Sequence, residues 1–142
     1  MSAFTQTDWF LKGLRHAVTD VNIFTDTLVC IPVSAVPDQT VDEFIDDLTE
    51  INAPSSRATI TNRAWTEDTT NLELELDCDD PTMPTLPTSN TYIGYVIAAD
   101  LGADSASPVL MFVDTDNVTC NGGNVKVTLP AEGLFKLHCY TT

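Results

Sequence analysis

The hydrophobic and polar positions of this chain change period along its length. "NLELELDC" alternates strictly, with Leu72, Leu74 and Leu76 on one side and Glu73, Glu75 and Asp77 on the other. A period of two predicts a strand with one buried and one wet face. "TLVCIPV" is a short apolar run, and "ATITNRAWT" carries β-branched residues and alternates from Ile60. "TYIGYVIAA", "SPVLMFVD", "NVKVTL" and "GLFKLHCY" complete a set of about seven predicted strands. Asn121-Gly122-Gly123 and the stretch from Pro130 to Gly133 supply turns between the last of them, and Pro81 to Pro87 reads as a long exposed loop.

Two stretches near the front read as helices. In "TDWFLKGLRHAVTD", Phe10, Leu14, Ala17 and Val18 fall at helical spacing, with Thr7 or Asp8 as N-cap. Gly13 costs such a helix about 1 kcal/mol relative to Ala. In "TVDEFIDDLTEI", Thr40 followed by Glu43 fits a capping box, and Phe44 and Leu48, with Ile45 and Ile51, form an apolar side between Pro37 and Pro54. The expected fold is mainly β: an antiparallel β-sandwich or jelly-roll-like domain with an N-terminal helix and one short helix near Thr40–Leu48. It is expected as a single domain over 1–142, with an N-terminal helical segment at 1–20 and a β-rich body at 21–142.

Charge narrows the function classes. Six Lys and Arg face 21 Asp and Glu over 142 residues, a net charge of −15. Nucleic acids and anionic membranes are bound through clustered cations, whereas Lys12, Arg15, Arg57, Arg63, Lys126 and Lys136 are scattered. Neither partner is expected. Such a charge favours solubility and repulsion between free copies. No apolar run approaches a membrane helix, and "MSAFTQTDWFLKGLRHAVTD" lacks the basic start of a signal peptide. Synthesis in a cytoplasm is the expectation. Cys30, Cys78, Cys120 and Cys139 are widely spaced, with no CxxC pair, and are expected to be reduced thiols.

The candidate chemistry is thin. Asp77, Asp79 and Asp80 crowd the end of "LELELDCDD", but no EF-hand spacing accompanies them, and a solvated strand end is the expected reading. His16 and His138 form no HExxH, and GxSxG, Walker A and GxGxxG motifs are absent. His138 and Cys139 are neighbours in a strand and would point to opposite faces. No catalytic, cofactor-binding or metal-binding residue is therefore assigned, and no cofactor. Phe4, Trp9 and Phe10 are the candidate interface residues, for contact between copies or with a shell, because an apolar segment of this kind has to be buried somewhere; packing on the chain's own sandwich is the alternative, and the favoured one.

Read end to end, these segments resemble a family of small bacteriophage virion proteins. The likeness lies in the amphipathic start, the "DTLVCIPVS" strand, the acidic "VDEFIDDL" piece, "ATITNRAWT", the alternating strand ending in "LELELDCDD", and the hairpin "TYIGYVIAADLGADSASPVLMFVD". Within the hairpin it rests on Asp100, Gly102, Asp104, Ser105, Ser107 and Pro108. The Pro81–Pro87 loop departs from the shorter connection usual in the family. The resemblance implies a non-enzymatic capsid decoration or cement protein on the outer surface of the head. Its implied partners are the major capsid protein and further copies of itself, as a homo-oligomer for which a trimer is expected. A tail, baseplate or fibre-attachment protein is the alternative.

Overall fold

The computed structural model describes residues 7–130 and 133–138. These residues form a mainly β protein with antiparallel sheets and, among them, one α-helix. In chain order the elements are β1 (Thr7–Trp9), α1 (Leu11–Thr19), β2 (Leu28–Val33), β3 (Ala58–Thr59), β4 (Ala64–Asp68) and β5 (Glu73–Asp77). Then follow β6 (Thr82–Met83), β7 (Thr91–Ala99), β8 (Val109–Thr119), β9 (Val125–Lys126) and β10 (Phe135–His138). Single 3-10 turns occur at Ile45–Asp47 and Asp104–Ala106.

The central sheet has five strands in the order β1-β8-β7-β2-β3. Every residue of β2 is buried, as are Tyr92–Ala99 of β7 and Val109–Val113 of β8. A sheet covered on both faces has no wet side to alternate with, which is why these strands are continuous apolar runs. On one face Cys30, Tyr95, Ile97 and Leu110 join Leu76 of β5, Met83 of β6 and Val127 in the larger core. On the other face Val29, Ile31, Val96, Val109 and Phe112 pack with Phe10 and Ile45. Tyr92 and Tyr95 share the first face although they are three residues apart, because a bulge between Tyr92 and Gly94 shifts the pleat by one residue.

The remaining strands form two smaller sheets, β10-β5-β4 and β6-β9. The alternation of β5 survives in graded form: Leu76 is buried, Leu74 is half-buried, and Leu72 lies before the strand at 41% exposure. "ATITNRAWT" is two strands, broken where Asn62 takes a positive φ of 54°.

Three expected elements differ. The helix expected near Thr40–Leu48 is a chain of turns ending in one 3-10 turn at Ile45–Asp47. Its aspartates compete for the backbone. Asp38 accepts from Thr40 N–H, Asp42 from Asp38 N–H, and Asp47 from Glu43 N–H and Phe44 N–H. These local bonds favour turns over helix. Phe44 also bridges Pro108, and Val109 N–H donates to the Glu43 carbonyl, so the segment runs alongside the start of β8. Thr7–Trp9 is a strand paired with Met111–Val113 of β8, not the cap of a helix. The Pro81–Pro87 stretch is not an exposed loop: Pro81, Met83 and Leu86 are buried, and Thr82 and Met83 pair with Lys126 and Val125.

Candidate functional site

The α-helix follows Phe10 and lies across β8. Phe10 N–H donates to the Leu110 carbonyl, and Leu11 N–H donates to the Gln39 carbonyl, which satisfies an amide that no side chain caps. Gly13 makes the crossing possible. A Cβ there would lie 2.1 Å from the Val109 carbonyl oxygen and 2.9 Å from Leu110 Cα. The glycine that costs the helix propensity is the one that lets it touch the sheet.

With Gly13 turned toward the sheet, the helical repeat sorts the other positions. Lys12, Arg15 and His16 form one flank and converge on Glu43. Lys12 Nζ lies 3.3 Å from Glu43 Oε2, Arg15 Nη2 2.5 Å from Oε1, and His16 Nε2 3.0 Å from Oε1. His16 Nδ1 lies 2.8 Å from Asp20 Oδ2, and its ring is tilted against Phe44 at 5.8 Å. The His16 hydrogen bond, followed by Lys12 and Arg15, holds the Glu43 carboxyl below the usual carboxylate range, and the same imidazole lowers Asp20.

The opposite flank is apolar and open. Leu11, Leu14 and Val18 are spaced as one stripe, with 66%, 47% and 78% of their surface exposed. Beside the stripe lies a groove of about 490 Å³ lined by Trp9, Leu14, Val18, Phe24, Trp65 and Leu74. Both tryptophans of the chain are therefore in this groove. β4 and β5 deliver its far wall, because antiparallel register puts Trp65 opposite Leu76 and Glu67 opposite Leu74 on one side of that sheet. A contiguous apolar surface of this kind marks a contact site more often than a scattered exposed leucine does.

Of the three candidate interface residues, Trp9 lines this groove, half-buried. Phe10 is wholly buried under α1 against the second face of the sheet and offers no outward surface. Phe4 lies outside the described residues. Leu11, Leu14, Val18 and Trp65 were not legible as site residues: helical spacing tells which positions share a face, not which way the face turns.

The acidic residues do mostly local work. Asp77 accepts from Cys78 N–H, Asp79 from the Thr61 hydroxyl and the Asn62 amide, and Asp80 from Leu129 N–H. Asp79 and Asp80 fasten two different loops, whereas Asp77 bonds the amide next to it. Among the described residues, no group of three or more His, Cys, Asp or Glu side chains is placed to hold a metal ion. Burial and then the charges of Asp77, Asp79 and Asp80 push the Cys78 thiol up to about 11, so it is not a thiolate at neutral pH. Cys30 and Cys120 are buried free thiols, and burial raises Cys30 further; Cys139 lies outside the described residues.

All six cations are engaged. Besides Lys12 and Arg15, Lys126 faces Asp80 at 3.7 Å and Lys136 faces Glu73 at 3.2 Å. Arg63 donates to the Ile23 carbonyl. Arg57 makes a double fork: Nε and Nη2 lie 2.7 Å from the two Glu50 oxygens, and Nη1 and Nη2 lie 2.9 Å from those of Asp104. That clasp ties the start of β3 to the β7–β8 hairpin loop, and it lowers Asp104 through the Arg57 hydrogen bonds. A second groove, of about 330 Å³, lies over Tyr92, Tyr95 and Lys126. The Tyr95 hydroxyl is buried and has no hydrogen-bond partner among the described residues.

No helix among the described residues is long and apolar enough to cross a membrane. No protein-family model, curated protein or solved structure matches this chain.

Proposed function

We propose that this chain is a non-enzymatic structural protein of a bacteriophage virion, a decoration or cement protein that seats on the outer surface of the head and stabilises it through the major capsid protein. The observation that carries the reading is the open apolar flank of α1 with its groove, on a body whose net charge is −15 and whose cations are all engaged. Like charge keeps free copies apart, and the apolar surface supplies contact once a shell offers sites. Many such contacts stabilise only the assembled state to which they bind. The protonated Cys78 and the dispersed Asp77, Asp79 and Asp80 support a role without catalysis. The five-stranded and three-stranded sheets, meeting across the larger core, are read here as the two layers of a β-sandwich.

The test is made on particles assembled without this protein. They should form, yet release DNA at lower temperature or under osmotic shock, and purified protein should restore them. Quantitative mass spectrometry of complete particles should find it in hundreds of copies, the order expected of a shell lattice. Particles that keep full head stability but lack tails or fail to adsorb would assign the protein to the tail instead.

A further inference from the structure

We infer that the groove beside α1 receives a short protein segment whose apolar side chains are flanked by lysine or arginine. This deepens the reading of the chain as a docking protein and rests on it. The apolar part follows from the lining. Leu14, Val18 and Phe24 are each about half exposed or more, and Trp9, Trp65 and Leu74 form the floor and far wall. Leucine and tryptophan surfaces at one edge of a groove suit two or three apolar anchors.

The basic flanks follow from charge. The chain carries 15 more acids than cations, and each cation already faces a carboxylate or a carbonyl. Arg15 borders the stripe, but Glu43 lies 2.5 Å from it. Glu67, exposed, stands opposite the groove residue Leu74. An approaching segment therefore meets an acidic field around an apolar slot, and cations beside its anchors are attracted while carboxylates are repelled. A second copy of this chain is the poorer occupant, because it brings the same surplus of negative charge to the contact.

The probe is a pair of short, tryptophan-free peptides with one shared Leu/Phe centre, flanked in one by lysines and in the other by glutamates. Because both tryptophans line the groove, the intrinsic fluorescence of the full chain reports occupancy directly. The lysine-flanked peptide should shift the emission saturably, and binding should weaken several-fold as salt rises and the charges are screened. The glutamate-flanked peptide should bind at least ~10-fold more weakly, or not at all. Leu14→Gln combined with Val18→Gln, at exposed positions that leave the fold intact, should weaken the lysine-flanked peptide by ~10-fold or more. Equal binding of the two peptides, or binding of neither, overturns the proposal. So does self-association of the peptide-free chain in sedimentation that the double variant abolishes, since the occupant is then a second copy. If neither peptide binds but the protein still restores particles, the groove assignment falls and the head reading stands. If the lysine-flanked peptide binds and particles ignore the protein, the reverse holds.

Discussion

On one side of α1, Phe10 and Gly13 press toward β8; on the other, Leu11, Leu14 and Val18 face outward. Side-chain type does not separate the two. Leu14 and Val18 are as apolar as Phe10 and belong to the same helical spacing. What separates them is the missing Cβ at Gly13, which fixes the face that can come within contact distance of Val109 and Leu110. Once that face is chosen, the basic flank is directed to Glu43 and the leucines are left at the surface. Burial here is decided by the closest backbone approach, and hydrophobicity fills what that approach leaves.

The largest test removes the anchor of the buried side. Phe10 is wholly buried and is held by the N–H bond to the Leu110 carbonyl at the point where the chain enters α1. Phe10→Ala should cost about 3–5 kcal/mol, from lost transfer energy plus the cavity left behind. Urea unfolding measures it. A loss within a few tenths of a kcal/mol would mean that α1 does not depend on this contact.

Gly13→Ala comes next and sharpens the comparison, because two effects oppose. Alanine improves helix propensity by about 1 kcal/mol. Its Cβ, however, would meet the Val109 carbonyl oxygen at 2.1 Å, a backbone atom that cannot rotate away. The net should be a destabilisation of about 1–3 kcal/mol, the range for overpacking. A rise in melting temperature would show that the helix stands further from the sheet.

The sequence foretold the strands better than the segment around Thr40–Leu48 or the outward turn of α1, for a physical reason. The β2, β7 and β8 segments are apolar runs whose burial on both faces leaves them no alternative, and Leu76 and Leu74 kept their side of β5. The segment around Thr40–Leu48 carries helix-like apolar spacing and a capping-box pattern. Yet Asp38, Asp42 and Asp47 bond nearby amides, and Phe44 bridges Pro108, a long-range contact that no local pattern announces. Pro81 to Pro87 reads as solvent-exposed by composition, but Met83 and Leu86 pull it into the core. At the groove, Trp9 was legible because aromatic residues near a terminus attract notice. Trp65 was absorbed into a strand pattern, and the outward turn of Leu14 and Val18 depends on Gly13, whose role only the contact distance reveals.

The basic flank gives a pH-dependent effect of smaller size. Glu43 has its folded pKa depressed by His16, Lys12 and Arg15, so its contribution is present above the unfolded carboxylate value and is lost as the pH falls through the lower folded one. Asp20 follows the same sign through His16. The side chain of Glu43 keeps 22% of its surface exposed, so screening limits the gain. Glu43→Gln should lower the melting temperature at pH 7, and its gap to the native chain should close as the pH drops below about 4. Calorimetry across that range checks the convergence. A gap that widened on acidification would contradict the sign.

The smallest expected change in stability is the one that bears most on function. Leu14 and Val18 expose 47% and 78% of their surface, so Leu14→Gln with Val18→Gln forfeits little buried area. Surface substitutions away from caps and clasps usually stay within about 0.5 kcal/mol, and glutamine keeps a helix propensity close to that of leucine. The double variant should therefore unfold at nearly the urea midpoint of the native chain, with the same slope, in contrast to Phe10→Ala at the start of the same helix. That contrast matters because groove binding and particle restoration can then be compared at equal stability: a loss of either in the double variant reports on contact and not on folding. If the pair instead cost several kcal/mol, the stripe would be buried in the free protein, and the division of α1 into a closed and an open flank would have to be given up.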